Sequence, residues 1–314
     1  MSERGSGVST ADFVAGTVGV RVPATSANLG PGFDALGLAL SLHDDLAGHV
    51  VPDGLTVDVH GEGGDQVARD ETHLVVRAMR RSFELLGVAP SGLAVECVNR
   101  IPHSRGLGSS AAAIVAGILL ARGLVRDGDA RMTDAQVLGL AADLEGHPDN
   151  VAPCLLGGLT VAWIDGTSAR AVRRDVNASV VPVLLVPPFT ASTERARGLL
   201  PATVPHEDAA FAAGRAALLV AALTGTPQAL LAATEDRLHQ VYRAPAMPHS
   251  ARLVTQLRAN GHPAVISGAG PTVLVLARGD VEAKSVLAST PDGWLGRAIA
   301  VDPDGARIVT EPEG

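Results

Sequence analysis

The sequence predicts a fold that mixes α-helices with β-strands and is large enough for two domains. Segments in which apolar and polar residues alternate predict strands, and segments with helical apolar spacing are interspersed between them. The chain has 314 residues, of which 46% are hydrophobic. This is enough material for two ordinary domains or for one large one.

The first half of the chain predicts five strands and three helices. Alternation through Val18, Val20 and Val22 marks the first strand, which Pro23 ends. The polar, glycine-rich segment TSANLGPGFD at 25–34 then predicts a loop before the second strand. The predicted strands are 17–24, 36–42, 54–61, 92–99 and 155–166, and the predicted helices are 72–87, 109–123 and 134–146.

The second half of the chain predicts one covered strand, three helices and a last strand-rich segment. VVPVLLVPP at 180–188 is apolar throughout, which is typical of a strand that is buried on both faces. The predicted helices are 206–223, 227–240 and 250–261, and the last strand-rich segment is 263–277.

A charged, turn-prone segment, RAVRRDVNAS, predicts a domain boundary near residue 175. We therefore expect an N-terminal domain at 1–175 and a C-terminal domain at 176–314. Residues 1–11 are predicted to form a flexible tail. They lack the apolar stretch of a signal peptide, and the longest apolar run, at 111–121, is too short to span a bilayer, so a cytoplasmic location is expected.

The charge of the chain points to a small molecule as its partner. The formal net charge is −8, which provides no basic face for nucleic acid or for an anionic membrane. Lys284 is the sole lysine, and it lies outside any phosphate-binding motif. P-loop NTPases and protein kinases both need a motif lysine, so both classes are disfavoured. Any anion must be held by backbone amides and a few arginines.

Cysteine content argues against a disulfide framework or a cysteine-ligated metal. Cys97 and Cys154 are the two cysteines, and neither has another cysteine or a histidine nearby at metal-ligand spacing. We expect both to be small buried hydrophobic residues.

The stretch IPHSRGLGSSAAA at 101–113 has the character of a phosphate-binding turn. It lies between a predicted strand and a predicted helix, where backbone N–H groups can converge on an anion. Gly106 and Gly108 permit positive φ, and the hydroxyls of Ser109 and Ser110 can cap the helix, contact phosphate or ligate magnesium. A plain turn followed by a capped helix is the alternative.

A dinucleotide-binding turn is a second alternative. The residues that match its pattern are Gly106, Gly108 and Ala111, with Asp127 and Asp129 about twenty residues later. In that fold the first glycine follows the strand closely, whereas NRIPHSR separates the strand from the glycine here. A lone match to this pattern is weak.

Three blocks in this order resemble the motifs of the GHMP small-molecule kinases: PATSANLGPGFDALGL at 23–38, PHSRGLGSSAAA at 102–113 and SGAGPTVLVL at 267–276. The resemblance implies a two-domain α+β GHMP kinase fold with the active site in the cleft between the domains. It also implies an ATP phosphate loop that uses no lysine. The ATP-binding residues implied are Pro102, Arg105, Gly106, Leu107, Gly108, Ser109, Ser110 and Ala111.

Further segments resemble the branch of this family that phosphorylates the side-chain hydroxyl of L-homoserine, a step toward threonine. They are EGHPDNVAP at 145–153, TERARGLLP at 193–201 and LHQVYRAPAMP at 238–248. The resemblance implies an ATP- and Mg²⁺-dependent enzyme and a homodimer. Two alternatives stay open: a kinase of another small hydroxylated metabolite, and a non-catalytic regulator that binds a nucleotide or metabolite.

A zwitterionic substrate with a hydroxyl requires three kinds of group in the site. Arg197 and Arg243 could hold its carboxylate bidentately, and Asn28 and Asp34 could receive its ammonium. Asn150 stands where some family members have a catalytic aspartate. Because an amide cannot accept a proton at neutral pH, we expect Asn150 to orient the hydroxyl while positioning and charge neutralisation drive catalysis.

Magnesium would need oxygen ligands, of which the protein supplies one or two. The resemblance implies Glu145 as the acidic ligand, together with the hydroxyls of Ser109 and Ser110. Asp143 is an alternative to Glu145. His147 could act as a base, but its neighbours Gly146 and Pro148 favour a structural role.

Overall fold

The computed structural model describes residues 12–309, so the tail expected at 1–11 lies outside the described residues. The strands are β1 Val18–Ala27, β2 Leu36–Val51, β3 Gly54–Gly61, β4 Gly92–Asn99, β5 Leu159–Asp165, β6 Ser168–Arg174, β7 Val180–Val186, β8 Ala264–Ile266, β9 Val273–Arg278, β10 Leu295–Ala298 and β11 Arg307–Val309. The α-helices are α1 Leu74–Leu86, α2 Ser109–Leu124, α3 Gly128–Arg131, α4 Asp134–Glu145, α5 Pro148–Leu156, α6 Thr193–Gly198, α7 His206–Thr224, α8 Leu230–Ala233, α9 Gln240–Arg243, α10 Pro248–Ala259 and α11 Asp280–Ala288.

The larger sheet has the strand order β11-β1-β2-β4-β3, and β2 also pairs with β5, which pairs with β6. The pairs are antiparallel except β3 with β4, which is parallel. The register between β1 and β2 shifts between Pro23 and Ala24. A proline lacks the N–H that a regular ladder needs, so the chain bends at this point instead of ending the strand as expected.

Helix α2 is the central helix of this layer. It packs against α1, α4, α5 and β1, and it buries alanine, isoleucine and leucine on nearly all of its faces. A helix that is apolar all round is typical of a core element. Gly117 lies so close to α1 that an added Cβ would overlap the Val75 carbonyl oxygen, so the two helices are in close backbone contact.

The smaller sheet has the strand order β10-β7-β9-β8. On one face, Leu184 and Leu274 join the same hydrophobic core as the larger sheet. On the other face, Val183 and Val275 form a second core with α10 and α11. The continuous apolar run predicted at 180–188 is therefore confirmed as a strand covered on both sides.

The chain returns to the larger sheet at its end. Strand β11 pairs with β1, and the Ala300 carbonyl oxygen accepts from the backbone N–H of Ser41. The boundary near residue 175 stays a prediction, because residues from both predicted domains build the larger sheet. Within residues 12–309, no helix is long and apolar enough to cross a bilayer.

The prediction of one helix at 227–240 is wrong. A 3₁₀ turn at Pro227–Ala229 and the short α8 are followed by an irregular segment and then α9. The Asp236 carboxylate accepts from the backbone N–H groups of Leu238 and Gln240, so it starts a new helical turn rather than continuing the old one. Three strands, β6, β10 and β11, and four helices, α3, α5, α6 and α11, were not predicted.

Helix α5 lies directly on β2, and the contact depends on a glycine. A Cβ added to Gly37 would overlap the carbonyl oxygen of Asp149 and approach the Pro153 ring. The packing places the first turn of α5 at the edge of the cleft described below.

The Gly37→Ala substitution is therefore expected to lower the free energy of unfolding by about 2 kcal/mol or more, because α5 must shift to admit the methyl group. Gly139→Ala is the matched control. Gly139 lies inside α4 with no atom near the added Cβ, so this substitution should raise stability by about 0.5–1 kcal/mol. Urea unfolding of both variants measures the difference, and equal stabilities would contradict the close packing of α5.

Candidate active site

The phosphate-like turn connects β4 to α2, as expected. Gly106 and Gly108 have φ values of 73° and 71°, in the left-handed region that favours glycine. Gly108 is the N-cap of α2 and offers no side chain to its first turn. The backbone N–H groups at the start of α2 thus remain free of a side-chain cap, and the positive end of the helix dipole faces the same cleft.

The turn before α2 packs against the loop at 267–272, which connects β8 to β9. A Cβ added to Gly106 would overlap the Ser267 carbonyl oxygen. The Ser267 hydroxyl donates to the Gly106 carbonyl oxygen at 2.6 Å and lies 2.8 Å from the Ser26 hydroxyl. The backbone N–H of Thr272 donates to the Arg105 carbonyl oxygen at 3.2 Å. Two distant motifs of the sequence are thus in direct backbone contact.

The loop that follows β1 completes this contact. The Asn28 amide nitrogen donates to the Gly268 carbonyl oxygen at 3.0 Å, and its side-chain oxygen accepts from the Asp34 backbone N–H at 3.0 Å. The Gly268 N–H donates to the Ala27 carbonyl oxygen. Both ends of the Asn28 side chain are therefore engaged in holding the loops together, although its oxygen retains one lone pair.

The resulting cleft is lined by nearly all of the residues singled out in the sequence. The exceptions among the candidate site residues are Asp34, Ala111 and Asp143. Asp34 contacts the lining residue Arg197, Ala111 is buried in the first turn of α2, and Asp143 lines a separate groove. The predicted lining residues are Asn28, Pro102, Arg105, Gly106, Leu107, Gly108, Ser109, Ser110, Glu145, Asn150, Arg197 and Arg243, and they are joined by His147 and Asp149.

Arg105 uses its guanidinium mainly to hold the chain. It donates to the carbonyl oxygens of His103, Pro187 and Pro188 at 2.9 to 3.1 Å. These bonds tie the turn to the segment after β7. Three of its five donors are engaged, so the guanidinium is held in a fixed position beside the turn.

Glu145, at the end of α4, faces the start of α2. Its carboxylate accepts from the Ser110 hydroxyl at 2.7 Å. Burial raises the pKa of the Glu145 carboxyl, against the lowering effect of the Ser110 hydrogen bond. Asp143 is exposed and lines a separate groove with Arg81 and Arg170, away from the cleft. The geometry therefore favours Glu145 over Asp143 as the carboxylate beside the phosphate-like turn.

The start of α5 carries three polar residues into the cleft. The His147 imidazole Nδ1 lies 2.7 Å from the buried carboxylate of Asp149. This carboxylate raises the pKa of His147, against the lowering effect of burial. The carboxylate fixes the orientation of the imidazole ring through Nδ1, an arrangement found both in structural histidines and in histidine bases, so the structural role expected for His147 stays a prediction. Asn150 comes next, and its side-chain oxygen accepts from the Thr25 hydroxyl at 2.8 Å.

Asp34 and Arg197 bind each other at the mouth of the cleft. The guanidinium donates to both carboxylate oxygens, at 2.7 and 3.3 Å, and both side chains are more than one-third exposed. The sequence predicts that Arg197 binds the carboxylate of a substrate and that Asp34 binds its ammonium group. It does not predict that the two residues pair with each other.

Arg243, in contrast, is a buried guanidinium without a carboxylate. Its side chain is 2% exposed, and its carbon Cζ lies 5.1 Å from the centre of the Phe33 ring. Nε has no hydrogen-bond partner, and Nη1 makes only long contacts with His239 Nδ1 and the Gly268 carbonyl oxygen, at 3.4 and 3.5 Å. Burial, and next the charge of Arg197, lower the pKa of Arg243.

A second cavity adjoins the cleft on the far side of the turn. The two share Ser104, Ser109 and Ser110. Apolar side chains of β2, α1 and the segment before α1 dominate its wall, and they are Leu46, Val67, Leu74 and Val75. His73 also lines it, 8% exposed, with Nδ1 lacking a hydrogen-bond partner. Burial lowers the pKa of this imidazole, so it is held neutral.

Comparison with known proteins identifies the family. Residues 73–158 match the GHMP kinases N terminal domain, and residues 216–291 match the GHMP kinases C terminal region. The homoserine kinase of Streptomyces avermitilis is 57% identical over 297 residues, covering 95% of this chain and 97% of that protein. The chain belongs to the GHMP kinase family. The family resemblance of the three sequence blocks is thereby confirmed.

Other relatives agree with this assignment. The homoserine kinase of Streptomyces coelicolor is 58% identical, covering 95% of this chain and 96% of that protein. The crystal structure of homoserine kinase from Cytophaga hutchinsonii superposes with a TM-score of 0.83 at 23% identity, covering 98% of this chain and 100% of that one. That likeness confirms the fold. As a GHMP kinase, the chain is an ATP-dependent small-molecule kinase.

Three residues of the site, Thr25, His73 and Phe33, are not predicted from the sequence. The sequence predicts a loop at 25–34, whereas Thr25 lies in β1 and its hydroxyl donates to Asn150. His73 lacks any motif that distinguishes it from a surface histidine. Phe33 belongs to the first block of the family resemblance, which implies no role for it, but its ring lies under the two arginines of the cleft. In this chain with few aromatic residues, a phenylalanine in a polar loop was the one available hint.

Proposed function

We propose that this GHMP kinase transfers the γ-phosphate of ATP to the side-chain hydroxyl of L-homoserine, giving O-phospho-L-homoserine for threonine biosynthesis. The relatives named homoserine kinase, at 57–58% identity over nearly the whole chain, support this choice of acceptor. The structural observation that carries it is the buried, carboxylate-free guanidinium of Arg243 in the cleft.

A buried cation without a counter-ion is costly, because its hydration has been lost without compensation. Among residues 12–309, no carboxylate lies within ion-pair distance of Arg243. The carboxylate of an amino acid would supply the missing charge and accept from the free Nε. An acceptor without an anionic group, such as a neutral sugar, would leave the buried Arg243 guanidinium without a counter-ion.

The ammonium group of the substrate would be bound by the partly exposed ion pair of Asp34 and Arg197 at the mouth of the cleft. Arg197 and Asp34 hold one another with both side chains partly in water, so the pair contributes little stability and can open at low cost. In the proposed complex the Asp34 carboxylate receives the substrate ammonium, with the remaining lone pair of the Asn28 oxygen beside it. Arg197 is then free to join Arg243 on the substrate carboxylate.

In the proposed complex, the phosphates of ATP bind the turn before α2, and its adenine ring binds the second cavity. The N-terminal amides of α2, from Gly106 to Ala111, would bind its phosphates without a lysine. The adjoining cavity shares Ser104 with the cleft, exposes mostly apolar surface and has the unpartnered Nδ1 of His73 in its wall, which suits an adenine ring. This assignment supplies the base-binding surface that the sequence did not reveal.

Magnesium is part of the proposal because the donors around the turn fit it. Glu145 is a partly buried carboxylate that contacts a hydroxyl rather than a cation, and the hydroxyls of Ser109 and Ser110 lie at the same end of α2. These are the hard oxygen ligands that magnesium takes. When bound, the ion would neutralise charge on the β- and γ-phosphates.

The protein contributes position and charge to the transfer rather than a base. In the proposed step the acceptor oxygen forms a bond to the γ-phosphorus, the bond from that phosphorus to the bridging oxygen breaks, and ADP leaves with the bonding electrons. The acceptor proton passes to a phosphate oxygen or to solvent. Asn150 orients the acceptor hydroxyl, and Arg197 and Arg243 fix the other end of the molecule.

A homodimer and a cytoplasmic location complete the proposal, as the family resemblance suggests. The domain division near residue 175 is retained with it. The two family matches, at 73–158 and 216–291, lie on opposite sides of that position and support the division.

The acceptor is tested by assaying ADP formation with ATP and Mg²⁺ against a panel that includes L-homoserine, L-serine, R-mevalonate and D-galactose. We expect kcat/KM for L-homoserine to exceed that for every other acceptor by about 100-fold or more, because only homoserine combines the zwitterion with a hydroxyl at the right distance. Faster turnover of another acceptor would make the chain a different small-molecule kinase. ATP binding without turnover of any acceptor would favour a regulator.

Arg243→Ala is expected to raise the KM for L-homoserine by about 10- to 100-fold, since a charge-assisted hydrogen bond to the substrate carboxylate is lost. The KM for ATP should change little. Arg237→Ala is the matched control, because Arg237 stacks on Phe211 and pairs with Asp208 outside the cleft. Steady-state kinetics with both substrates measure the effect, and a wild-type homoserine KM in Arg243→Ala would refute the carboxylate assignment.

A further inference from the structure

Thr25 is the point at which the phosphate loop and the start of α5 meet. Its side chain is completely buried, and its hydroxyl donates to the Asn150 side-chain oxygen at 2.8 Å. Its backbone N–H donates to the Leu107 carbonyl oxygen at 3.0 Å. A Cβ added to Gly108 would overlap the Thr25 hydroxyl, so the threonine lies directly against the turn.

We propose that Thr25 is a positioning residue for phosphoryl transfer: its hydroxyl holds the Asn150 amide so that the amide –NH₂ group faces the acceptor hydroxyl. This inference rests on the proposed function, in which Asn150 contacts the reacting oxygen. Thr25 touches neither substrate and acts through Asn150. The threonine thereby links the position of the acceptor to the turn that binds the phosphates.

The bond decides which end of the amide faces the cleft. Among the residues that the structure describes, the Asn150 amide nitrogen has no acceptor, whereas the oxygen is engaged with Thr25. A rotation of the amide by 180° would aim its oxygen at the cleft, near the carboxylates of Glu145 and Asp149 and the proposed position of the triphosphate. In that rotated state the –NH₂ group would face Thr25 and would be lost to the acceptor hydroxyl. The observed contact, in which the Thr25 hydroxyl donates to the Asn150 oxygen, instead leaves the –NH₂ group for the cleft.

This orientation has a chemical consequence for the acceptor. An –NH₂ group donates to one lone pair of the acceptor oxygen, which leaves another lone pair available for attack on phosphorus. An amide oxygen in the same place would instead accept the hydroxyl proton and turn the oxygen to a different direction. A loss of alignment of this kind lowers the rate of transfer more than it lowers binding.

The test is a double-mutant cycle in kcat with ATP and L-homoserine, using the wild type, Thr25→Val, Asn150→Ala and the double variant. Thr25→Val keeps the shape of the side chain and the backbone bond to Leu107 but removes the hydroxyl. We expect it to lower kcat by about 10- to 100-fold with both KM values within about threefold of wild type. Thr25→Ser, which retains the hydroxyl, should restore kcat to within about threefold of wild type.

The cycle separates positioning from a general structural role. In the Asn150→Ala background, Thr25→Val should change kcat by less than about twofold, because the group it positions is gone. Thr160→Val is the matched control, since Thr160 is equally buried in a strand but its hydroxyl makes only a long contact, 3.5 Å, with the Gly37 carbonyl oxygen. This variant should keep the wild-type kcat.

Two results would overturn the inference: a wild-type kcat in Thr25→Val, or losses that multiply in the double variant. If Thr25→Val does not fold, Thr25→Ala serves in the same cycle with the same criteria. The wild type separates this inference from the proposed function. If it turns over L-homoserine and the cycle fails, the role of Thr25 alone is wrong; if it turns over no acceptor, the proposed function falls and this inference with it.

Discussion

The site depends on a backbone contact that admits no side chain. The turn before α2 lies against the loop between β8 and β9 at Gly106, where a Cβ would overlap the Ser267 carbonyl oxygen. Ser267 then bonds the Gly106 carbonyl oxygen, and Asn28 bonds the Gly268 carbonyl oxygen. Three loops that are far apart in the sequence are thus fixed to each other through main-chain atoms. The side chains of Asn28 and Arg243 both contact this junction at the Gly268 carbonyl oxygen.

The same junction explains how an acidic, nearly lysine-free chain can bind a triphosphate. The overall charge of −8 provides no attractive field, so the anion must be held by local groups. In the proposed complex, the amides at the start of α2 would provide donors that need no side-chain ordering, and Glu145 with Ser110 would provide oxygen ligands for a cation. The buried guanidinium of Arg243 in the same cleft would provide a second positive centre.

Much of this arrangement could be predicted, because its motifs carry local physical meaning. The strands at 54–61 and 92–99 match β3 and β4, and the turn at 106–108 has the positive φ values that its glycines permit. The helix expected at 227–240 failed because a single carboxylate, Asp236, starts a new turn, an effect that apolar spacing does not register.

The parts of the site that were missed are relations between distant residues. Asp34 and Arg197 are 163 positions apart, and their mutual pairing depends on how α6 lies over the first loop. Thr25 and Asn150 are 125 positions apart, and nothing in the sequence around either residue predicts the hydrogen bond between them. Arg243 was a candidate from its motif, but its lack of a carboxylate partner is a property of the folded cleft alone.

The most direct test of the account is a crystal structure with L-homoserine and a non-hydrolysable ATP analogue. The account predicts the homoserine carboxylate within hydrogen-bond distance of the Arg243 guanidinium, its hydroxyl beside the Asn150 amide nitrogen, and the phosphates on the amides from Gly106 to Ala111. A complex in which Arg243 remains without an anion while homoserine or the phosphates occupy another surface would contradict it.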